Sequence, residues 1–166
     1  MRPYLLALNH AYIFFCVSLY LGLFWSLHFF WFPTYGDLQV GNYVDQIIPQ
    51  TTAATRFFIP VISLMAVAVA VMLVTEWKTR FRWVPLLWIP ALGGTVLVQQ
   101  LLIEPVNSAL AAGVTNPAEL ITLLEEWMLL NRVRGVVLTI MWVVMMVYFI
   151  QKGDLIEKLR RRGAPA

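Results

Sequence analysis

Four long apolar runs separated by short polar stretches set the pattern of this chain. They cover residues 11–32, 57–74, 83–103 and 133–150. Each approaches the roughly 20 residues that a helix needs to cross a hydrocarbon core about 30 Å thick. The second run is the purest. Leu64-Met65-Ala66-Val67-Ala68-Val69-Ala70-Val71-Met72-Leu73 carries no polar side chain, and its alternating small residues allow close helix contact. The pattern predicts an all-α fold, an antiparallel four-helix bundle integral to a membrane.

The residues between the runs refine the elements. Residues 33–55 form the longest polar connection and hold Gly36, Asp37, Gly41, Asn42, Asp45 and Pro49, which favour turns. An ordered surface loop is expected there, with a short interfacial helix near residues 44–48. Pro60 falls in the first turn of the second span, where a missing N–H does no harm. Pro90 lies inside the third span and is followed by Gly93-Gly94, so a kink is expected. Gly113 reads as a helix stop. Asn116-Pro117-Ala118-Glu119 reads as a helix start, with Asn as N-cap and Pro at the first helical position. From there only Gly135 interrupts helix to about Gln151, roughly 50 Å in all. The last helix is therefore expected to extend beyond the membrane by three or four turns. A basic tail, residues 153–166, follows the four-span domain of residues 1–152. A cleaved secretory leader would have an apolar core of about 7–15 residues and a small-residue cleavage site. The first run is longer and ends in Phe29-Phe30-Trp31-Phe32-Pro33, so it is expected to be retained.

Composition agrees with the pattern. Of the 166 residues 60% are hydrophobic and 13% charged, against roughly 45–50% and about 25% in soluble domains. Mean hydropathy is +0.74. The net charge of +3 hides an asymmetry. With four spans, Arg2, Lys78, Arg80, Arg82, Lys152, Lys158, Arg160, Arg161 and Arg162 share the side of the termini with three acidic residues, a net +6. The other side holds Arg56, Arg132 and Arg134 with six acidic residues, a net −3. The positive-inside rule places both termini in the cytoplasm of a multi-pass protein of the cytoplasmic (inner) membrane. The polar stretch of residues 97–134 then faces outward. Trp25, Trp31, Trp77, Trp83 and Trp127 fall near span ends, as an aromatic belt does.

Candidate chemistry is sparse. The single cysteine, Cys16, excludes an internal disulfide and reads as a small buried hydrophobe. His10 and His28 stand about 27 Å apart along a helix and cannot share a metal. His10 reads as an ordinary residue at headgroup depth. No metal or cofactor site is implied, no P-loop, GxGxxG, HExxH or GxSxG occurs, and nothing points to nucleic acid. The lack of charge at mid-span argues against a proton pump or ion channel. What remains lies at the outer ends of spans three and four. Gln100, Glu104 and Asn107 share one helical face, and Trp127, Asn131 and Arg134 share another. A Glu104–Arg134 pair is the expectation, because an unpaired charge at the membrane boundary is expensive. At least one of Gln99 and Gln100 should face the interior. The plain reading is a salt bridge pinning two helix ends. The functional one is a polar site in which Glu104 acts as acid or base, Arg134 holds an anionic or enolate oxygen, and Asn107 and Asn131 orient a substrate. His28 is a candidate fifth group.

Ile103-Glu104-Pro105-Val106-Asn107-Ser108-Ala109-Leu110, followed by Trp127-x-x-x-Asn131-Arg132-Val133-Arg134, resembles the small four-span anthrone oxygenase-like membrane proteins. Leu21-Gly22-Leu23-Phe24 is similar to their first span. The resemblance spans residues 10–150, with about a dozen specific positions, and Asn131 stands where oxygenase members commonly show His. It implies a cofactor-independent oxygenase, or a binder of an apolar aromatic small molecule, with Asn107, Trp127, Asn131 and Arg134 at the site. The alternative is a non-catalytic accessory subunit of a larger membrane complex. The partners expected are membrane lipid, an apolar small molecule, and a membrane protein or further copies of the chain.

Overall fold

The structure, a computed structural model, describes residues 3–154. The tail's Lys158, Arg160, Arg161 and Arg162 lie outside the described residues. Among the described residues there are five α-helices: α1 Pro3–Ser26, α2 Tyr43–Glu76, α3 Trp83–Val98, α4 Glu104–Ala112 and α5 Pro117–Lys152. A π turn, Leu27–Trp31, and a 3-10 turn, Phe32–Asp37, prolong α1, and a second π turn, Gln99–Ile103, joins α3 to α4. The result is four helical segments long and apolar enough to cross a membrane: Tyr4–Asp37, Tyr43–Glu76, Trp83–Ala112 and Pro117–Lys152. This is an all-α, four-helix membrane bundle.

α1 packs against α2 and α5, and α3 packs against the same two, so α1 and α3 occupy opposite corners. One end brings together the start of α1, the end of α2 and the end of α5. This is called the terminal end below. The other end gathers the 3-10 turn, the start of α2, α4 and the start of α5. The outer faces are apolar, with Phe15, Phe30, Leu64, Val67, Leu101 and Val136 exposed. An uncovered apolar belt of this kind suits lipid, where every backbone group is satisfied inside the helices.

The interior divides into two cores. The larger one, toward the terminal end, is built from Ile13, Val17, Tyr20 and Phe24 of α1, Met65, Val69 and Met72 of α2, Val84 and Trp88 of α3, and Leu138, Met141 and Met145 of α5. Cys16 is buried in it, as a small hydrophobe. The second core sits at the opposite end and joins Phe32, Tyr35, Tyr43, Ile47, Val106, Leu110, Leu120, Leu124 and Trp127.

The second core explains the main departure from expectation. Residues 43–55 are helical and belong to α2, whose 34 residues measure about 51 Å. Pro49 and Pro60 are both inside this helix. Each frees the carbonyl four residues earlier, on Asp45 and Arg56, and all four residues are exposed. Tyr43 and Ile47, one turn apart, are each 1% exposed. Burial of that pair outweighs the turn-forming residues around it. α5 is 36 residues long, as its capping signals indicate, and the Asn116 side chain accepts a hydrogen bond from the Ala118 N–H at 3.0 Å. Its first turns do not project alone. They pack on α4 and the 3-10 turn. The Tyr43 hydroxyl fastens this end, donating to the Leu110 carbonyl at 3.0 Å and accepting from the Val114 N–H at 2.6 Å. The turn between them needs Gly113, whose φ is +96°.

Candidate functional site

Trp127, Asn131 and Arg134 recur at intervals of four and three on α5, so one stripe of that helix points inward. All three are buried, Arg134 to 6% exposure. Asn131 turns its Nδ2 back to the Trp127 carbonyl at 2.8 Å, which leaves its Oδ1 free to accept from Arg134 Nη1 at 3.3 Å. The same Nη1 donates to Gln99 Oε1 at 2.6 Å. The guanidinium lies 5.1 Å from the centre of the Phe24 ring, with the Tyr20 hydroxyl beside it. Trp127 donates from Nε1 to Asn107 Oδ1 at 3.0 Å and is held edge-on by Phe32 at 5.9 Å.

The π turn brings the second helix into register. Gln99 and Asn107 are eight residues apart, which would separate them by about 80° in an uninterrupted α-helix. With Gln99–Ile103 wound as a π turn, both reach α5. Single π turns inside α-helices are frequent at functional sites. The same winding removes Glu104 from the position the sequence suggests. Glu104 is exposed and forms no ion pair with Arg134; among the described residues the ion pair is Lys152–Glu76. Gln99, five residues earlier, takes the place expected of the carboxylate.

Arg134 is therefore a buried cation whose partners are an amide, a second amide, a phenol and a ring. Its Nε is buried and has no hydrogen-bond partner. It stands on the wall of a cavity of about 930 Å³. The volume lies near the top of the roughly 300–1,000 Å³ usual for small-molecule sites. The walls are mostly aliphatic and aromatic, from Leu23, Phe58, Ile62, Val69 and Leu92 among others. Gln99, Gln100, Glu104, Asn107, Trp127, Asn131 and Arg134 line the polar end. Five of the six residues singled out from sequence border this one cavity: Glu104, Asn107, Trp127, Asn131 and Arg134. The sixth, His28, does not. It is exposed and stacks among Trp25, Phe29 and Phe32, with ring centres 5.0–6.2 Å away.

A second polar cluster, at the terminal end, escaped the sequence reading. His10 is no ordinary surface residue; it is buried to 4% exposure, and Glu76 to 2%. The Tyr148 hydroxyl donates to Glu76 Oε1 at 2.9 Å, so its oxygen is left to accept from His10 Nδ1 at 2.9 Å. The imidazole thus carries its proton on Nδ1. Its Nε2 is buried without a partner. Lys152 pairs with Glu76 Oε1, and Thr79 donates to Oε2 at 2.6 Å. One signal in the sequence could have found this cluster: Glu76 and Lys152, of opposite charge, are the last residues of α2 and α5, two helices that both end on the terminal side.

Among the described residues, no group of three or more His, Cys, Asp or Glu side chains is arranged to hold a metal. No family model, curated protein or solved structure matches the chain.

Proposed function

We propose that this membrane protein binds an apolar small molecule that carries an ionised oxygen, with Arg134 as the anchor for that oxygen. The observation that carries the reading is a buried guanidinium on the wall of a large apolar cavity, with neutral partners and an unpartnered Nε. A cation removed from water costs several kcal/mol unless it is paired. Gln99 and Asn131 satisfy one nitrogen and hold the guanidinium in place. A carboxylate, phosphate or enolate oxygen would complete the site with short charge-assisted hydrogen bonds. Asn107 and Trp127, tied to one another, would set the orientation of the ligand body. The cavity is aromatic there through Tyr20, Phe24 and Trp127, which suits a flat ring.

Glu104 gives the same cavity a catalytic version. A carboxylate on the wall, near a cation that stabilises an oxyanion, is what proton removal from an acidic carbon or phenol requires. The reading keeps the likeness to cofactor-independent oxygenases acting on aromatic enols. The excess of Lys and Arg near the helix ends at the terminal side supports a cytoplasmic-membrane protein with both termini inside.

Native mass spectrometry of the protein extracted gently from its own membrane tests the proposal. A small organic mass that travels with the wild type and is lost from Arg134→Gln is expected. Larger subunits in fixed ratio, with no small mass, would overturn it in favour of an accessory subunit.

A further inference from the structure

The cavity extends from the core to the surface between α2 and α3. On α2 its lining runs through Ile59, Ile62, Ser63, Ala66, Val69 and Ala70; on α3 through Ile89, Leu92, Gly93, Val96 and Leu97. Both sets recur at i, i+3, i+4 and i+7, so each is one stripe of its helix, and the two stripes border one space. Exposure falls along the lining from 60% at Ile59 and 59% at Leu97 to 8% at Phe58 and 6% at Arg134. Small residues keep the mouth open. Ser63, Ala66, Ala70 and Gly93 are all exposed there, and a Cβ added to Gly93 would meet nothing within 4 Å. The stripe on α2 from Ile59 to Leu73 is about 21 Å long.

Both ends of the bundle are shut. Tyr43, Leu110 and Val114 are hydrogen-bonded together over one end, above the packed rings of Phe32, Tyr35 and Trp127. Glu76, Tyr148, His10 and Phe81 close the other. The side between α2 and α3 is open, and it opens mostly through residues that belong to the apolar belt, with Thr55, Gln100 and Glu104 at its polar end.

From this geometry we infer that the ligand reaches Arg134 sideways, out of the bilayer, through the gap between α2 and α3. The ligand is then a membrane-dissolved amphiphile with a slender or flat apolar body and one ionised oxygen, rather than a water-soluble anion. The inference rests on the Arg134 reading above and adds the route and the substrate class. A hydrated anion would have to enter past the exposed Glu104 carboxylate, which lines the polar end of the cavity and opposes a negative charge. A lipid-phase amphiphile already lies beside the mouth, and sliding in lets it exchange one apolar surrounding for another while its head gains Arg134.

The test uses the full chain in phosphatidylcholine nanodiscs and a fluorescent conjugated-polyene fatty acid as the probe, with binding and release followed by stopped flow. Gly93→Phe and Ala66→Phe place a ring in the mouth from opposite helices. Each should slow uptake and release together by at least about tenfold while the Kd changes little, as a gate does. Leu64→Phe, on an exposed face about 140° round α2 from Ile59, should leave both rates unchanged. Arg134→Gln should instead speed release and weaken the Kd with uptake preserved. Wild-type exchange rates in both mouth variants, with Arg134→Gln still weakened, would overturn the sideways route and leave the Arg134 reading standing. A wild type that does not bind the probe, or an Arg134→Gln that binds it equally well, would overturn the Arg134 reading and this inference with it.

Discussion

The bundle buries one charge at its terminal end and another halfway along α5, and the two sites treat it differently. At the terminal end Glu76 is surrounded by what a carboxylate needs: a lysine, a tyrosine hydroxyl and a threonine hydroxyl, with His10 behind the tyrosine. Halfway along α5 Arg134 has two amides, a phenol and a ring, and a nitrogen left over. The first cluster pairs its charge within the chain, though it leaves His10 Nε2 unpartnered, and ties α1, the α2–α3 turn and α5 together. The second opens on a cavity. A charge that the chain neutralises itself is explained by the fold. A charge left without its counter-ion beside 930 Å³ of space points to something the chain receives.

Removing each charge should therefore have opposite consequences. Glu76→Ala leaves Lys152 without its partner and Tyr148 and Thr79 without their acceptor. Breaking a fully buried pair costs about 3–5 kcal/mol; with Lys152 41% exposed, about 3 kcal/mol is expected, read as a lower Tm or easier denaturation in detergent. Arg134→Met exchanges a buried cation for an apolar chain of similar length. Stability should hold or rise by up to about 2 kcal/mol. Ligand binding should weaken by about 10- to 100-fold, the equivalent of about 1.5–3 kcal/mol for hydrogen bonds to a charged group. Equal destabilisation by the two variants would erase the distinction between the two sites.

Tyr148→Phe probes the closed end more gently. It removes the hydroxyl between His10 and Glu76 but keeps the ring, which packs on Phe81 at 5.3 Å. A loss of about 1–2 kcal/mol is expected, with ligand affinity unchanged in the same titration. If affinity fell too, the two sites would be coupled through α5.

How much of this was legible without coordinates follows the same division. The four spans came from apolar run length, which lipid enforces strictly, and the start of α5 from Asn116 and Pro117. The polar face of Trp127, Asn131 and Arg134 came from helical periodicity. Three things did not. The start of α2 was hidden because Gly41, Asn42 and Pro49 mark turns locally, while the burial of Tyr43 and Ile47 depends on partners as far as some 70 residues away. The π turn has no sequence signature, and it is what replaces Glu104 by Gln99 beside Arg134. The terminal cluster was missed because Glu76 and Lys152 sit at helix ends, where charges are usually solvated, and their pairing depends on how three helices meet.

The smallest expected effect sharpens the comparison most finely. Glu104 lines the cavity but is exposed and has no cationic partner among its described contacts. Glu104→Gln removes its charge and keeps its shape, so stability should stay within about 0.5 kcal/mol of wild type, as for surface changes elsewhere. Had Glu104 been the counter-ion of Arg134, the same change would leave a buried cation unpaired and cost several times more. The ligand should still bind, and somewhat more tightly, because a negative charge on the cavity wall opposes an anionic head. Titration of the probe into both proteins measures this directly. Once a native ligand is in hand, loss of its turnover in Glu104→Gln with binding retained would make Glu104 the base of an enzyme. Turnover in neither protein would leave the cavity as a binding site alone.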